Sequence, residues 1–434
     1  DRDPQLIYAK IYRAGLGSLD ANTDASVALF QEAIAAARTL GPAGERPLSL
    51  ALHGLGLTHE MGHRPKDAVA PFREALQLRE RLLGRDHPEA VATRVNLAYV
   101  TAETGAPAEA ESVLRAAVES NRKVFSESHP LVAQSLNVLA NVLIMQGKLD
   151  DADRALQEAL EIARRTTPAD SPQIDAALGS LAMLNYRRGD LVQAGDYTRQ
   201  SLAMRERRNG TGDDSTLLIK QNLAVLEYRV GNYRDAEQQL RDVLERRRKT
   251  GSQISGALMH LGNTLRLQGR PAEALPLLDE AIALAEKDRG AAGNTALAAR
   301  MARAAVRRDL GALAEATADA DAAVDGLHRL SPSHAQLPKA RYLRAQLGAL
   351  CGDCARALPD LDAMRAKRHG PPAPAQPWQQ WQAAEAELWV RLCRPAAGDG
   401  ALEQSRRVLL ASPIADPFAR RLAQRGAITA AKTP

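Results

Sequence analysis

Residues 103–118 read ETGAPAEAESVLRAAV, and residues 145–160 read MQGKLDDADRALQEAL. Both carry a glycine, a small residue five positions later, and an apolar face at helical spacing. The same plan returns as RRGDLVQAGDYTRQSL at 187–202, RVGNYRDAEQQLRDVL at 229–244 and LQGRPAEALPLLDEAI at 267–282. A sequence that repeats itself at a fixed period folds as stacked copies of one small unit, since no single copy can bury its own apolar face.

The small residue runs down the chain as Ser26, Ala68, Ala110, Ala152, Ala194, Ala236, Ala274, Ala316 and Ala357. Five spacings of 42 are followed by 38, 42 and 41. The short interval lacks four residues, one helical turn. Twelve residues before each lies a second small residue: Ala14, Gly56, Ala98, Ala140, Ala182, Ala224, Gly262, Ala304 and Ala345. This pattern predicts a helix, a tight turn at glycine and an antiparallel helix, crossing where both side chains are small. Leu55, Leu97, Leu139, Leu181, Leu223 and Leu261 fill the neighbouring core position. Pro88, Pro130 and Pro172 suit the first position of a helix, where the missing N–H costs nothing. They follow His87, His129 and the good N-cap Ser171.

Composition agrees with helices. Aromatics make up only 3% of the 434 residues, so Ala and Leu must build the core. That suits close helix packing and suits sheets poorly. The 57 basic and 52 acidic residues nearly balance and are scattered, which argues against a nucleic-acid partner. There is no run of about 18 apolar residues to span a membrane, and no signal peptide is visible. Because the sequence opens at Asp1 rather than Met, it reads as a piece of a longer protein.

The repeat resembles the tetratricopeptide repeat (TPR). Its 42-residue period, with LGRDHPEAVATRVNLA at 83–98, is similar to the kinesin-light-chain type. The resemblance covers about residues 5–365. It implies an all-α, right-handed superhelical solenoid of nine to ten hairpins that binds proteins and is not an enzyme. In bacteria, arrays of this type are commonly attached to Ser/Thr protein kinases or other signalling modules. Arg13, Arg303 and Arg344 depart from the pattern by standing where Leu is expected, and Thr198 and Ala320 replace large core residues. The expected organisation is nine hairpins over 1–369, a Pro-rich linker at 370–377, and a degenerate tenth hairpin with a capping helix over 378–434.

Catalytic motifs fall to the same register. His59-Glu60-Met61-Gly62-His63 matches H-E-x-x-H, which holds zinc only on one continuous helix. Here Gly62 is a turn glycine, and Val69 stands where a metzincin would place its third His. The Arg-Gly-Asp at 188–190 likewise brackets the turn glycine Gly189. Gly-rich phosphate loops, G-x-S-x-G and kinase signatures do not occur. No catalytic residue, metal ligand or cofactor site is expected.

The resemblance implies that sites 18, 15, 11, 8 and 7 residues before the second helix's small residue face a concave groove. Repeat two then contributes Leu50, His53, Glu60 and Met61, and repeat three Tyr99 and Glu103. Repeat four adds Gln134, Asn137, Asn141 and Met145; repeat five adds Met183, Tyr186 and Arg187. Gln221, Tyr228 and Arg229 follow in repeat six, then Met259, Asn263, Arg266, Met301 and Arg308 in repeats seven and eight. Counting Tyr8 and Tyr342, five of seven methionines and five of eight tyrosines fall on this surface. Met adapts to varied partners, and Tyr offers apolar area with a polar tip. Asn can bond a peptide backbone. Arg187, Arg229, Arg266 and Arg308 form a ladder for carboxylates, while Glu60 and Glu103 make the other end acidic. The expected partner is an acidic protein or peptide segment. The competing view is that these are only solvated helix faces.

The C-terminal part raises two further questions. Trp378, Trp381 and Trp389 share one helix face, which suits either capping or a self-assembly contact. Cys351, Cys354 and Cys393 cannot all pair within one chain. Structural thiols are the first expectation. If a bridge forms, Cys354–Cys393 is the better placed pair, and it would argue for an oxidising compartment. The sequence leaves open which side of a membrane the parent protein would present.

Overall fold

The computed structural model describes residues 4–19, 23–62, 64–289, 293–332, 334–366, 385, 389–390, 393, 399–411 and 416–424. Every element among the described residues is helical. The chain divides into two compact units, residues 1–188 and 189–434. Unit 1 holds α1 (Pro4–Leu19), α2 (Thr23–Arg38), α3 (Glu45–Met61), α4 (Pro65–Leu83), α5 (Pro88–Glu103), α6 (Pro107–Val124), α7 (Pro130–Met145), α8 (Leu149–Thr166) and α9 (Pro172–Arg188). Unit 2 holds α10 (Leu191–Asn209), α11 (Asp214–Val230), α12 (Tyr233–Thr250), α13 (Ser255–Leu267), α14 (Pro271–Arg289), α15 (Asn294–Asp309), α16 (Leu313–Leu330), α17 (Leu337–Leu350), α18 (Cys354–Ala366), α19 (Asp399–Ala411) and α20 (Pro417–Gln424).

Helices start and stop where the sequence marks them. His87 and His129 accept from the backbone N–H of Glu89 and Leu131 through Nδ1, at 3.3 and 3.2 Å. Ser171 Oγ accepts from Ile174 N–H at 3.3 Å. Gly105 and Gly147 close α5 and α7 with φ of 116° and 75°, which a side chain would strain. Gly62 ends α3 differently. Its φ is −78°, and its N–H bonds back to Thr58. The helix carrying His59 therefore stops at Met61. His63 lies outside the described residues.

The paired helices cross at the small residues. Ala68, Ala110, Ala152, Ala236, Ala274, Ala316 and Ala357 are buried, as are Ala98, Ala140, Ala224, Ala304 and Ala345 opposite them. Where glycine replaces alanine, the reason is steric. A Cβ at Gly56 would lie 2.6 Å from the buried Phe72 ring, and one at Gly262 would lie 2.8 Å from Leu278.

Neighbouring repeats are held by polar contacts in a repeated register. Gln146 Nε2 donates to the Pro107 carbonyl (2.9 Å), Arg188 to the Leu149 carbonyl (3.2 Å) and Gln268 to the Tyr233 carbonyl (3.1 Å). Each joins the end of one first helix to the opening turn of the second helix before it. Lys148 pairs with Glu111, Arg188 with Asp153 and Arg270 with Glu237 at the same sites.

The departures from the leucine pattern have partners. Arg303 grips Asp319 through two bonds of 2.8 and 2.6 Å, and Arg307 adds a third at 2.7 Å. Arg344 reaches Asp360 at 3.3 Å. In both cases the carboxylate sits 16 residues after the arginine, across one hairpin. In repeats eight and nine an ion pair replaces the apolar contact made elsewhere by Leu.

At the C-terminal end, Trp389 is fully buried with Val390, Leu409 and Ala423 against Ala345, Leu350, Ala357 and Leu361. Trp389 is therefore a capping residue and not an exposed self-assembly contact. Trp378, Trp381 and the expected linker at 370–377 lie outside the described residues. Cys354, at the start of α18, is disulfide-bonded to Cys393 with Cα atoms 5.2 Å apart, and Cys351 is free and exposed. The expectation of three structural thiols is corrected for this pair. At 5.2 Å the backbone separation suits a bridge.

Two stability outcomes follow from these contacts. Gly56→Ala should destabilise by about 1–2 kcal/mol despite its better helix propensity, because the Phe72 ring has no space to yield. Adding Phe72→Leu should recover most of the loss in urea unfolding. Arg303→Leu restores the repeat pattern yet should cost about 2 kcal/mol, since buried Asp319 loses a bidentate partner. Arg303→Leu with Asp319→Leu should return close to the parent midpoint, a coupling that a double-mutant cycle measures directly.

Candidate functional site

First helices touch the first helices of the next pair: α1 with α3, α5 with α7 and α7 with α9 in unit 1, then α11 with α13, α13 with α15 and α15 with α17 in unit 2. Their remaining free side forms the inner face of each unit.

In unit 1 this face exposes large apolar side chains. Met61 is 50% exposed, Met145 43%, Met183 49% and Tyr186 37%. Arg187 and Glu103 are exposed beside them, while Asn137, Asn141 and Tyr99 are half-buried. Glu60 and Glu103 lie close enough to oppose each other's charge. Burial, then the Glu103 carboxylate, pushes Glu60 up to about 7. Burial and the same two carboxylates push the Tyr99 hydroxyl up to about 12, and it hydrogen-bonds Glu103. His53 has a different role. Its Nδ1 lies 3.3 Å from Thr93 Oγ1, and its ring packs edge-on to Phe72 at 5.5 Å. Burial and Arg79 push it down to about 4, so it stays neutral as a packing residue.

The inner face of unit 2 is basic. Arg229 is exposed at the end of α11. Tyr228 packs near His260, ring centroids 6.3 Å apart, with Met259 and Asn263 half-buried on the same helix as His260. Burial, then the charges of Arg229 and Lys339, push His260 down to about 4. Lys339 still meets solvent, yet surrounding protein and the charges of Arg229 and Arg266 push its ammonium down to about 8.

Four expected groove residues are corrected by the structure. Gln221 is buried and accepts from Arg247 at 3.0 Å. Met301 is a core side chain in the same apolar cluster as Ala320. Arg266 and Arg308 are buried and already paired. Arg266 Nη1 bonds Asp309 at 3.1 Å and Asp416 at 2.8 Å. Arg308 Nη2 bonds Asp309 at 2.9 Å and Asp416 at 3.0 Å. Two guanidiniums and two carboxylates thus form a closed ring. The arginine ladder keeps only Arg187 and Arg229 as exposed cations.

Sequence models of the tetratricopeptide repeat match residues 47–123, 89–165, 173–249 and 222–289. The chain belongs to the tetratricopeptide repeat family. No curated protein matches it in sequence. Among solved structures, this TPR protein is similar to aspartyl phosphate phosphatase F from Bacillus subtilis, with 11% identity, a TM-score of 0.52, and coverage of 85% of this chain and 95% of that one. It is similar to the apo quorum sensor NprR from B. thuringiensis, with 15% identity, a TM-score of 0.53, and coverage of 74% and 87%. A Rap protein complexed with Competence and Sporulation Factor gives 14% identity, a TM-score of 0.52, and coverage of 77% and 88%. At these identities the likeness is one of fold.

Knowing the TPR register, two missed residues could have been found. Lys339 lies 18 residues before Ala357, and Asp309 lies seven before Ala316, groove positions left unread in repeats nine and eight. Asp416 carries no such signal, because it lies beyond the repeat register.

Glu60 offers a pH test. Its folded pKa lies above its ordinary value of 4.5, so the native state binds the extra proton between pH 4.5 and 7. Stability then falls as pH rises through that window. Glu60→Gln should leave the melting temperature unchanged near pH 4.5 and raise it at pH 8, as measured by calorimetry.

Proposed function

We propose that this TPR array is the recognition or sensor region of a larger bacterial signalling protein, such as a Ser/Thr kinase, and that its inner face takes an acidic segment of a partner. The observation that carries this reading is the exposure of Met61, Met145, Met183 and Tyr186 on three first helices of unit 1, α3, α7 and α9. A merely solvated face has no use for four large apolar side chains at groove positions, whereas an interaction surface does. The acidic preference rests on unit 2, where the exposed Arg229 and Lys339 both carry positive charge beside His260. Relatives in fold include a quorum sensor and a Rap protein complexed with a factor. Association with a kinase rests on the resemblance of the 42-residue repeat alone.

Peptide display against the folded chain tests this reading. Selected peptides should be enriched in Asp and Glu. They should bind Met183→Ala/Tyr186→Ala at least tenfold more weakly in fluorescence anisotropy, with an unchanged melting temperature. Arg229→Glu should weaken them severalfold, an effect that shrinks with added salt. Equal binding by the Met183/Tyr186 variant would remove the groove from the proposal. Selection of neutral or basic peptides would remove the acidic preference.

A further inference from the structure

Asp416 makes contacts that a simple solenoid cap does not need. The buried cluster around Trp389, to which Ala423 and Phe418 contribute, covers the α17–α18 pair. Asp416 reaches farther, to Arg266 on α13 and Arg308 on α15, which precede it by 150 and 108 residues. These arginines stand at the groove positions of repeats seven and eight. One Asp416 oxygen takes each of them, Oδ2 for Arg266 and Oδ1 for Arg308. The same Oδ1 accepts the Phe418 N–H at 2.9 Å, which fixes the ring two residues on. Arg308 lies over that ring, 4.6 Å from its centroid, and Trp389 stacks on it at 6.0 Å. Carboxylate and ring are thus presented to the inner face as one recognition element.

We propose that Asp416–Gln424 is an intramolecular ligand of the inner face of unit 2, and that external partners of this face carry the same pattern, a carboxylate two residues before an aromatic ring, and compete with it. The proposal rests on the reading that this face binds acidic segments, and it specifies their chemistry. Displacement is electrostatically possible because the arginines are not orphaned when Asp416 leaves. Asp309, itself buried, still pairs with both. Among the described side chains of α20, the buried apolar ones are Ala419 and Ala423, both small, with Phe418 half-buried against the Trp389 cluster. A tethered ligand acts at an effective concentration in the millimolar range. A free peptide at micromolar concentration therefore does not displace it from the intact chain, whereas a partner that engages a second site can.

The test uses the full chain and an acetylated, fluorescent peptide of residues 416–424 added in trans. Asp416→Asn/Phe418→Ala empties the site while keeping Asp309 in place. This variant should bind the peptide at least tenfold more tightly than the intact chain does. The peptide with Asn in place of Asp should lose at least tenfold. A folded variant that binds the peptide no better than the intact chain would overturn the proposal. Should the variant fail to fold, hydrogen exchange on the unaltered chain decides. A displaceable ligand opens on its own, so amides of 416–424 should exchange at least tenfold faster than those of α15. Equal protection would make the segment an integral part of the core and end the proposal. Loss of external peptide binding with the in-trans peptide still bound would instead count against the proposed function alone.

Discussion

The close crossing of two helices, each with a small residue at the contact, is the constraint on which the molecule depends. Ala at both sites lets the backbones approach, and the flanking leucines then meet on either side. Because the helices are so close, little volume remains for aromatic rings. That is why a 434-residue chain can build its core with aromatics at 3%. The exception supports the rule. Phe72 fits only because Gly56 opposite it has no Cβ to offer. A solenoid built this way gains stability from each hairpin and from each neighbouring contact, nearly as a sum. The hydrogen bonds from Gln146, Arg188 and Gln268 to the preceding helix show the neighbouring contact repeating with the sequence.

Much of this was legible because period carries it. The small residues, the turn glycines and the prolines at helix starts recur at one spacing, and each recurrence strengthens the same conclusion. What period cannot carry is pairing between residues that break it. Arg303 and Arg344 read as defects when taken one at a time. Their partners, Asp319 and Asp360, become visible only when two antiparallel helices place residues 16 apart side by side. Met301 shows the same limit. Its register points to the groove, yet it belongs to the cluster that contains Ala320, where most other repeats carry Leu or Phe. The volume given up at 320 draws in a flexible neighbour, as thioether side chains allow.

The inner face was legible in position and less so in chemistry. Register identified Met61, Met145, Met183 and Tyr186, which the structure leaves exposed. It could not say that His53 would be neutralised by burial against Arg79. Nor could it separate Arg229 from Arg266 and Arg308, since all stand at groove sites, the first seven and the others eight residues before the small residue. The difference lies in Asp309 and in Asp416, the latter just before the last described helix. A repeat predicts where a side chain stands. Whether that side chain is available depends on what the non-repeating part of the chain brings to it.

On the proposed reading, this availability would set the energetics of recognition in unit 2. Arg266 and Arg308 are buried, and guanidiniums removed from water gain only when their hydrogen bonds are fully met. The closed ring with Asp309 and Asp416 meets them. An incoming anion must therefore do what Asp416 does, bridging two guanidiniums with two oxygens, or it gains nothing by entering. A lone charge attracted by Arg229 and Lys339 lacks that geometry. On the proposed reading, long-range attraction and close-range pairing would be handled by different residues on one face: the exposed cations would steer acidic segments toward the site, and the buried pair would select those with the right carboxylate geometry.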